Sequence, residues 1–205
     1  MIEMQLHRPL RVVTPTVDGD VLMVLARADT AFTPPQIHRI LGVWSVDGVR
    51  RSLDRLVTQG LVRHQSAGRA GLYSLNRDHL AASAVMALAA QFDDFLRRLS
   101  HRFESWEVGA VFAALFGSAA RGDMHDDSDI DLFVVRSDDV ESDDERWRTQ
   151  LEQLERDVAL WTGNDARVVE LSAHECRTAA RRREPLLFDV RDQGIRLAGS
   201  ATVPA

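Results

Sequence analysis

Apolar residues recur at helical spacing from Val17 to Ala28 (Val21, Leu22, Leu25, Ala28), which predicts a first helix. Thr33-Pro34-Pro35 supplies a cap and prolines suited to a first turn, and Ile37, Ile40 and Leu41 then predict a short amphipathic helix stopped at Gly42. Ser45 is a candidate N-cap for a third helix to Gln59, with the stripe Val46, Val49, Leu53, Leu56 and Val57 and Gly60 as its stop. Leu61 to Gln65 and Leu72 to Leu75 read as two short strands joined by a turn over Ala67-Gly68-Arg69-Ala70-Gly71.

The second half of the chain changes rhythm. Leu80 to Ser105 is helical in pattern, with Phe92, Phe95, Leu96, Leu99 and Phe103 at three- and four-residue steps, and serves as a connector and a candidate dimer surface. Gly109 to Phe116 is a short apolar run that predicts a buried strand, and Ile130 to Val135 is a second. Six acids between Ser137 and Glu145 precede a helix reaching about Thr162; acids there complement the helix dipole. Ala166 to Leu171 predicts a further strand. Arg181-Arg182-Arg183 closes the helix after it, either as dipole complement or as a contact for an acceptor.

Charge separates the two halves. Residues 1–80 hold ten arginines against seven acids, and residues 81–205 hold fifteen against twenty-four, within a net charge of −6. This asymmetry suggests two domains with different partners. All 25 basic residues are arginine, which excludes a Walker A phosphate loop, a Schiff-base enzyme and a lysine base. The single Cys176 excludes an internal disulfide framework, is consistent with a reducing cytoplasm, and reads as structural. No apolar run approaches the ~20 residues of a spanning helix, so no membrane contact is expected.

Helix, helix, turn, helix and hairpin is the order of a winged helix-turn-helix. "RRSLDRLVTQGLV" and the glycine-rich stretch after it resemble the winged-helix DNA-binding domains of bacterial regulators. The resemblance implies that the third helix enters the major groove, with Arg50, Arg51 and Arg55 as contacts and Arg69 at the wing tip. Asp47 and Asp54 lower the potential of that helix, and a protein-docking role for the winged helix is the competing reading.

In the second domain Gly117-Ser118 is followed, ten residues on, by Asp129-Ile130-Asp131. With the flanking apolar runs, "FGSAARGDMHDDSDIDLFVV" closely resembles the minimal nucleotidyltransferases of the DNA polymerase β superfamily, over about residues 107–199. Asp129 and Asp131, two apart on a strand, project to one face and need a cation to relieve their repulsion. Hard oxygen ligands suit Mg²⁺ shared with phosphate oxygens. Gly117 allows close approach to phosphates, Ser118 donates to them, and Arg121 balances triphosphate charge. His125 lies within the motif loop, where a histidine is ordinarily solvated.

The resemblance further implies a third carboxylate on a later strand, for which Glu170 is the candidate as shared metal ligand or base; a typical member would carry aspartate where this chain has Val169. The expectation is an α/β (α+β) two-domain chain. Residues 1–79 form the winged helix, 80–106 a connecting helix, and 107–205 a nucleotidyltransferase domain with a small mixed sheet flanked by helices. Implied with it are two Mg²⁺ ions, a nucleoside triphosphate, and transfer of a nucleoside monophosphate, AMP above others, to a protein or nucleic-acid hydroxyl. Partners would be DNA and a toxin or other protein acceptor in a toxin–antitoxin pair, with a cytoplasmic homodimer as the default form. The alternative is a transcriptional regulator whose second domain only senses nucleotide.

Overall fold

The computed structural model describes residues 4–68, 70–125, 127–199 and 202–203. The chain divides into two units, one of residues 8–92 and the other of residues 93 onward together with the first seven.

In the first unit a 3₁₀ turn (Pro9–Val12) precedes α1 (Val17–Arg27), α2 (Pro34–Leu41), α3 (Val46–Thr58), the hairpin β1 (Val62–Ala67) and β2 (Ala70–Leu75), and α4 (Ala82–Ala89). The predicted caps form. Thr33 and Gln36 make a reciprocal capping box at α2, Gly42 ends that helix in the left-handed region, and Ser45 Oγ accepts from the Gly48 N–H at 3.1 Å. The apolar stripes of α1 and α3 meet: Val21, Leu25, Ile37, Val49 and Leu53 are fully buried in one core, which Leu61, Val62, Leu75 and α4 complete. The hairpin strands run further toward the tip than the sequence pattern marks, with Ala67 paired to Ala70 around Gly68. Buried Asp20 is satisfied by Arg8 and by Trp44 Nε1, which donates at 2.6 Å. An unpaired carboxylate there would be costly.

The second unit contains α5 (Gln91–Glu104), β3 (Phe112–Phe116), α6 (Gly117–Arg121), β4 (Ile130–Arg136), α7 (Glu145–Thr162), β5 (Ala166–Ser172), α8 (Ala173–Arg181), α9 (Pro185–Gln193) and β6 (Ile195–Gly199). Its four-stranded sheet has the order β5-β4-β3-β6, with β4 and β5 parallel and the other pairs antiparallel. The small mixed sheet flanked by helices is therefore present. Strand side chains alternate between its two faces. On one face Phe133 and Val135 pack with Phe112, Ala114, Cys176, Ala179, Leu187 and Val190 from neighbouring strands and from α8 and α9. The other face carries α7, whose buried Trp147 meets Trp106 edge to face at 5.2 Å.

The segment 80–106, expected as one connecting helix, is two helices interrupted at Ala90. Ala82, Val85 and Ala89 of α4 belong to the core of the first unit, whereas residues from Asp93 onward belong to the second. The first residues also depart from the expected winged-helix boundary. Leu6 is buried, the Met4 N–H donates to Asn164 Oδ1 at 3.1 Å, and His7 Nε2 lies 2.7 Å from the Ala119 carbonyl oxygen. The acid-rich loop acts as helix caps. Asp144 accepts from the N–H groups of Arg146 and Trp147 at the start of α7, and Asp138 accepts from the His174 N–H at the start of α8. These bonds hold both carboxyls below the usual carboxylate range: for Asp138 the His174 N–H comes first, then Arg177; for Asp144 the Arg146 side chain comes first, then the Trp147 N–H.

Candidate nucleotide site

The antiparallel pairing of β3 with β4 sets Phe116 opposite Asp131, so the chain leaves β3 beside the acidic pair. Gly117 takes that turn at φ +68°, and a Cβ on it would lie 2.2 Å from Asp131 Oδ2. Only glycine fits both the left-handed backbone and the close approach. α6 follows and ends at Gly122, also left-handed, whose N–H bonds to the Ser118 carbonyl. The Ser118 hydroxyl has no hydrogen-bond partner among the described residues and is half-buried beside the turn. Arg121 Nε donates to Asp123 at 3.2 Å.

Burial pushes the Asp131 carboxyl up from its ordinary value; the charge of Asp129 adds to this, while the guanidinium groups of Arg167 and Arg121 oppose it. The loop before the strand is held by fully buried Asn164, whose Nδ2 donates to the Ser128 carbonyl at 3.1 Å while its Oδ1 receives the Met4 N–H. Ser128 Oγ in turn accepts from the His125 N–H at 2.8 Å, and His125 itself is exposed. Sequence reasoning missed Asn164. A lone asparagine after a helix-ending glycine reads as turn chemistry, and only its contacts reveal a link between three segments distant in the chain.

Glu170 is not brought to this site. The parallel register pairs Asp131 with Arg167, Phe133 with Val169 and Val134 with Glu170. Glu170 therefore points to the opposite face of the sheet, where Arg136 Nε (2.8 Å) and Trp147 Nε1 (2.9 Å) both donate to its Oε1. It is a mostly buried ion pair beneath α7, with Arg136 and Glu170 side chains 10% and 16% exposed. The assignment of Glu170 as third ligand or base is corrected by this geometry: a one-residue offset along a strand exchanges faces. On the face of Asp131 the two nearest β5 positions hold Arg167 and Val169, and Arg167 Nη2 lies 3.0 Å from Asp129 Oδ2.

No group of three or more His, Cys, Asp or Glu suited to a metal ion occurs among the described residues. The donor set on the page, two carboxylates beside a turn cleared by Gly117, fits one Mg²⁺ that completes its shell with phosphate oxygens and water. It does not supply the third carboxylate expected to hold a second ion.

In the first unit, Arg50 and Arg51 are exposed on α3, and Arg50 makes a long 3.5 Å pair with Asp47. Arg55 differs from both. It is paired with Asp18 of α1, which also accepts from the Ser52 hydroxyl, so its guanidinium is engaged within the fold. Arg63 on β1 pairs with Asp78 at 2.5 Å. Arg69, expected at the wing tip, lies outside the described residues.

A strand–Gly-Ser turn beside an Asp-x-Asp strand start, on a small mixed sheet, defines a nucleotidyltransferase-type domain, and the three helices with their hairpin define a winged helix-turn-helix. Residues 104–182 match the family Polymerase beta, Nucleotidyltransferase, and residues 13–71 match the MarR family. The chain thus joins a MarR-type winged helix-turn-helix to a polymerase-β-type nucleotidyltransferase domain. Among solved structures, it is similar to a toxin–antitoxin with AMP-PNP at 24% identity and TM-score 0.36, covering 52% of this chain and 74% of that one. A mutant of the toxin–antitoxin MntA-HpeT is similar at 22% identity and TM-score 0.35, over 54% and 74% of the two chains. A mutant MarR from E. coli complexed with operator DNA is similar at 23% identity and TM-score 0.31, over 42% and 61%. No curated protein matches the chain. No described helix is long and apolar enough to cross a membrane.

Proposed function

We propose that the second unit transfers a nucleoside monophosphate, AMP before others, from a nucleoside triphosphate to a hydroxyl of a protein or nucleic acid. The observation that carries this reading is the fit of Gly117 against Asp131, with the charge of Asp129 also acting on that carboxyl: the Gly-Ser turn, free of a side chain at its first residue, lies directly against the acidic pair that a triphosphate and its ion would meet. The Ser118 hydroxyl donates to a phosphate oxygen, and Arg121 and Arg167 neutralise phosphate charge through their planar forks. Asp129 and Asp131 would hold Mg²⁺, which supplies charge neutralisation on the reacting phosphate and lowers the pKa of the attacking hydroxyl. The acceptor oxygen bonds to the α-phosphorus, the bond to the leaving pyrophosphate breaks, and the hydroxyl proton is released.

The first unit binds DNA in this reading, with Arg51 and Arg50 of α3 as the contacts, and a homodimer presents two such helices to paired half-sites. A toxin–antitoxin pair is the biological setting that the resemblance of residues 107–199 to small prokaryotic nucleotidyltransferases implies, with the toxin or another protein as one acceptor and a nucleic acid as the other. The full chain incubated with α-labelled ATP, Mg²⁺ and cell extract tests this. Covalent label that disappears in Asp129→Ala/Asp131→Ala supports transfer. The absence of a carboxylate at Val169 favours a second reading, a regulator that binds nucleotide as a signal; tight binding of ATP with no label in any acceptor would establish it.

A further inference from the structure

The β5 register and the Asp129–Arg167 ion pair together single out one residue that no motif includes. We infer that Arg167 is a resident cation of the nucleotide site, standing in place of a second metal ion, so that the site takes one divalent ion per nucleoside triphosphate. This inference rests on the nucleotide-site reading above. Arg167 is the β5 residue paired directly with Asp131, and its Nη2 lies 3.0 Å from Asp129 Oδ2.

An exposed ion pair alone contributes little, and Arg167 is 67% exposed. What distinguishes this pair is its place. The neighbouring position on the same face, Val169, is apolar, so no third acid offsets the guanidinium there. Asp129 and Asp131 supply carboxylate donors for one divalent ion, and the charges of Arg167 and Arg121 both act on Asp131. A second ion would find no third carboxylate in the cluster among the described residues and would sit against the guanidinium, which repels it. The fork of Arg167 is exposed enough to leave Asp129 and reach phosphate oxygens when the ion takes the carboxylate.

The test is a Mn²⁺ titration of the full chain with an α,β-methylene ATP analogue, following free Mn²⁺ by electron paramagnetic resonance. Wild type binds one Mn²⁺ per chain together with the analogue. Arg167→Asp, which returns a carboxylate to the face, binds two. Arg167→Leu still binds one, and its analogue affinity falls roughly tenfold, the loss of one charge-assisted contact. Two ions in wild type, or unchanged analogue affinity in Arg167→Leu, would overturn the inference while leaving the nucleotide site intact. If wild type binds neither analogue nor analogue-linked Mn²⁺, the nucleotide-site reading itself fails. Melting temperatures of both variants equal to wild type establish that an exposed substitution has left the fold in place.

Discussion

Gly117, at the turn that follows β3, and Asp131 of β4 approach so closely that the absent Cβ of the glycine is the space the carboxylate uses: a Cβ at Gly117 would meet Asp131 Oδ2 at 2.2 Å. Gly117→Ala must therefore move the carboxylate or the turn, and it also places alanine at φ +68°. We expect a stability loss of about 1–2 kcal/mol from the backbone alone. Transfer should fall by about 10²-fold, since a displacement near 1 Å at a reacting centre has that effect. Label incorporation and thermal unfolding, measured on the same variant, check both.

Asp131→Asn is expected to abolish transfer yet raise the melting temperature of the second unit near neutral pH. Burial raises the carboxyl's pKa in the folded state, so the native chain binds more protons than the unfolded one between the two values. Wild-type stability accordingly falls as pH rises through that window. The variant escapes that fall, and its advantage vanishes below the ordinary aspartate range, where both states are protonated. Tryptophan fluorescence melts from pH 3 to 8, a range that spans the ordinary aspartate value of ~3.9, would show the convergence in the transition that Trp106, Trp147 and Trp161 of the second unit report. Mg²⁺ with ATP should stabilise wild type and leave Asp131→Asn unchanged.

Glu170→Ala should damage the fold more than the site. Removing it strands Arg136, which is 10% exposed, and leaves Trp147 Nε1 without its acceptor. The expected loss is roughly 3 kcal/mol in denaturant unfolding. Nucleotide affinity, measured below the unfolding transition, should stay within about twofold of wild type, as expected for additive, distant sites. Loss of nucleotide binding with unaltered stability would return Glu170 to the mechanism.

Arg51→Ala should weaken binding to operator-length DNA and reduce the slope of log affinity against log salt by about one, the signature of one lost phosphate contact. Arg55→Ala is expected to act differently. Its pairing with Asp18 makes it a tie between α3 and α1, so its main effect should be on the melting of the first unit. Binding isotherms at several salt concentrations and a thermal melt separate the two arginines.

Much of this was legible along the chain. The stripes of Val21, Leu25, Val49 and Leu53 place α1 and α3 in a shared core, because an apolar face at helical period has one way to be buried. Thr33, Ser45 and Gly42 mark helix ends through local hydrogen bonding and backbone preference, and these are properties of a few adjacent residues. Asp131 takes its face from strand alternation, and Asp129, just ahead of the strand, is near enough for its charge to act on the Asp131 carboxyl.

Tertiary structure alone decided which β5 residue joins them. Parity within one strand follows from sequence, but the register between two strands depends on how α7 packs and where the chain re-enters the sheet. There a single step exchanges Glu170 for Arg167. The same holds for Met4 to His7, too short to carry a pattern, and for Asn164, whose bonds reach Met4 and Ser128. Local chemistry therefore determined the elements, the caps and the acidic pair. Contacts between segments far apart in the chain, on which no local periodicity bears, determined that the third charge at the site is positive.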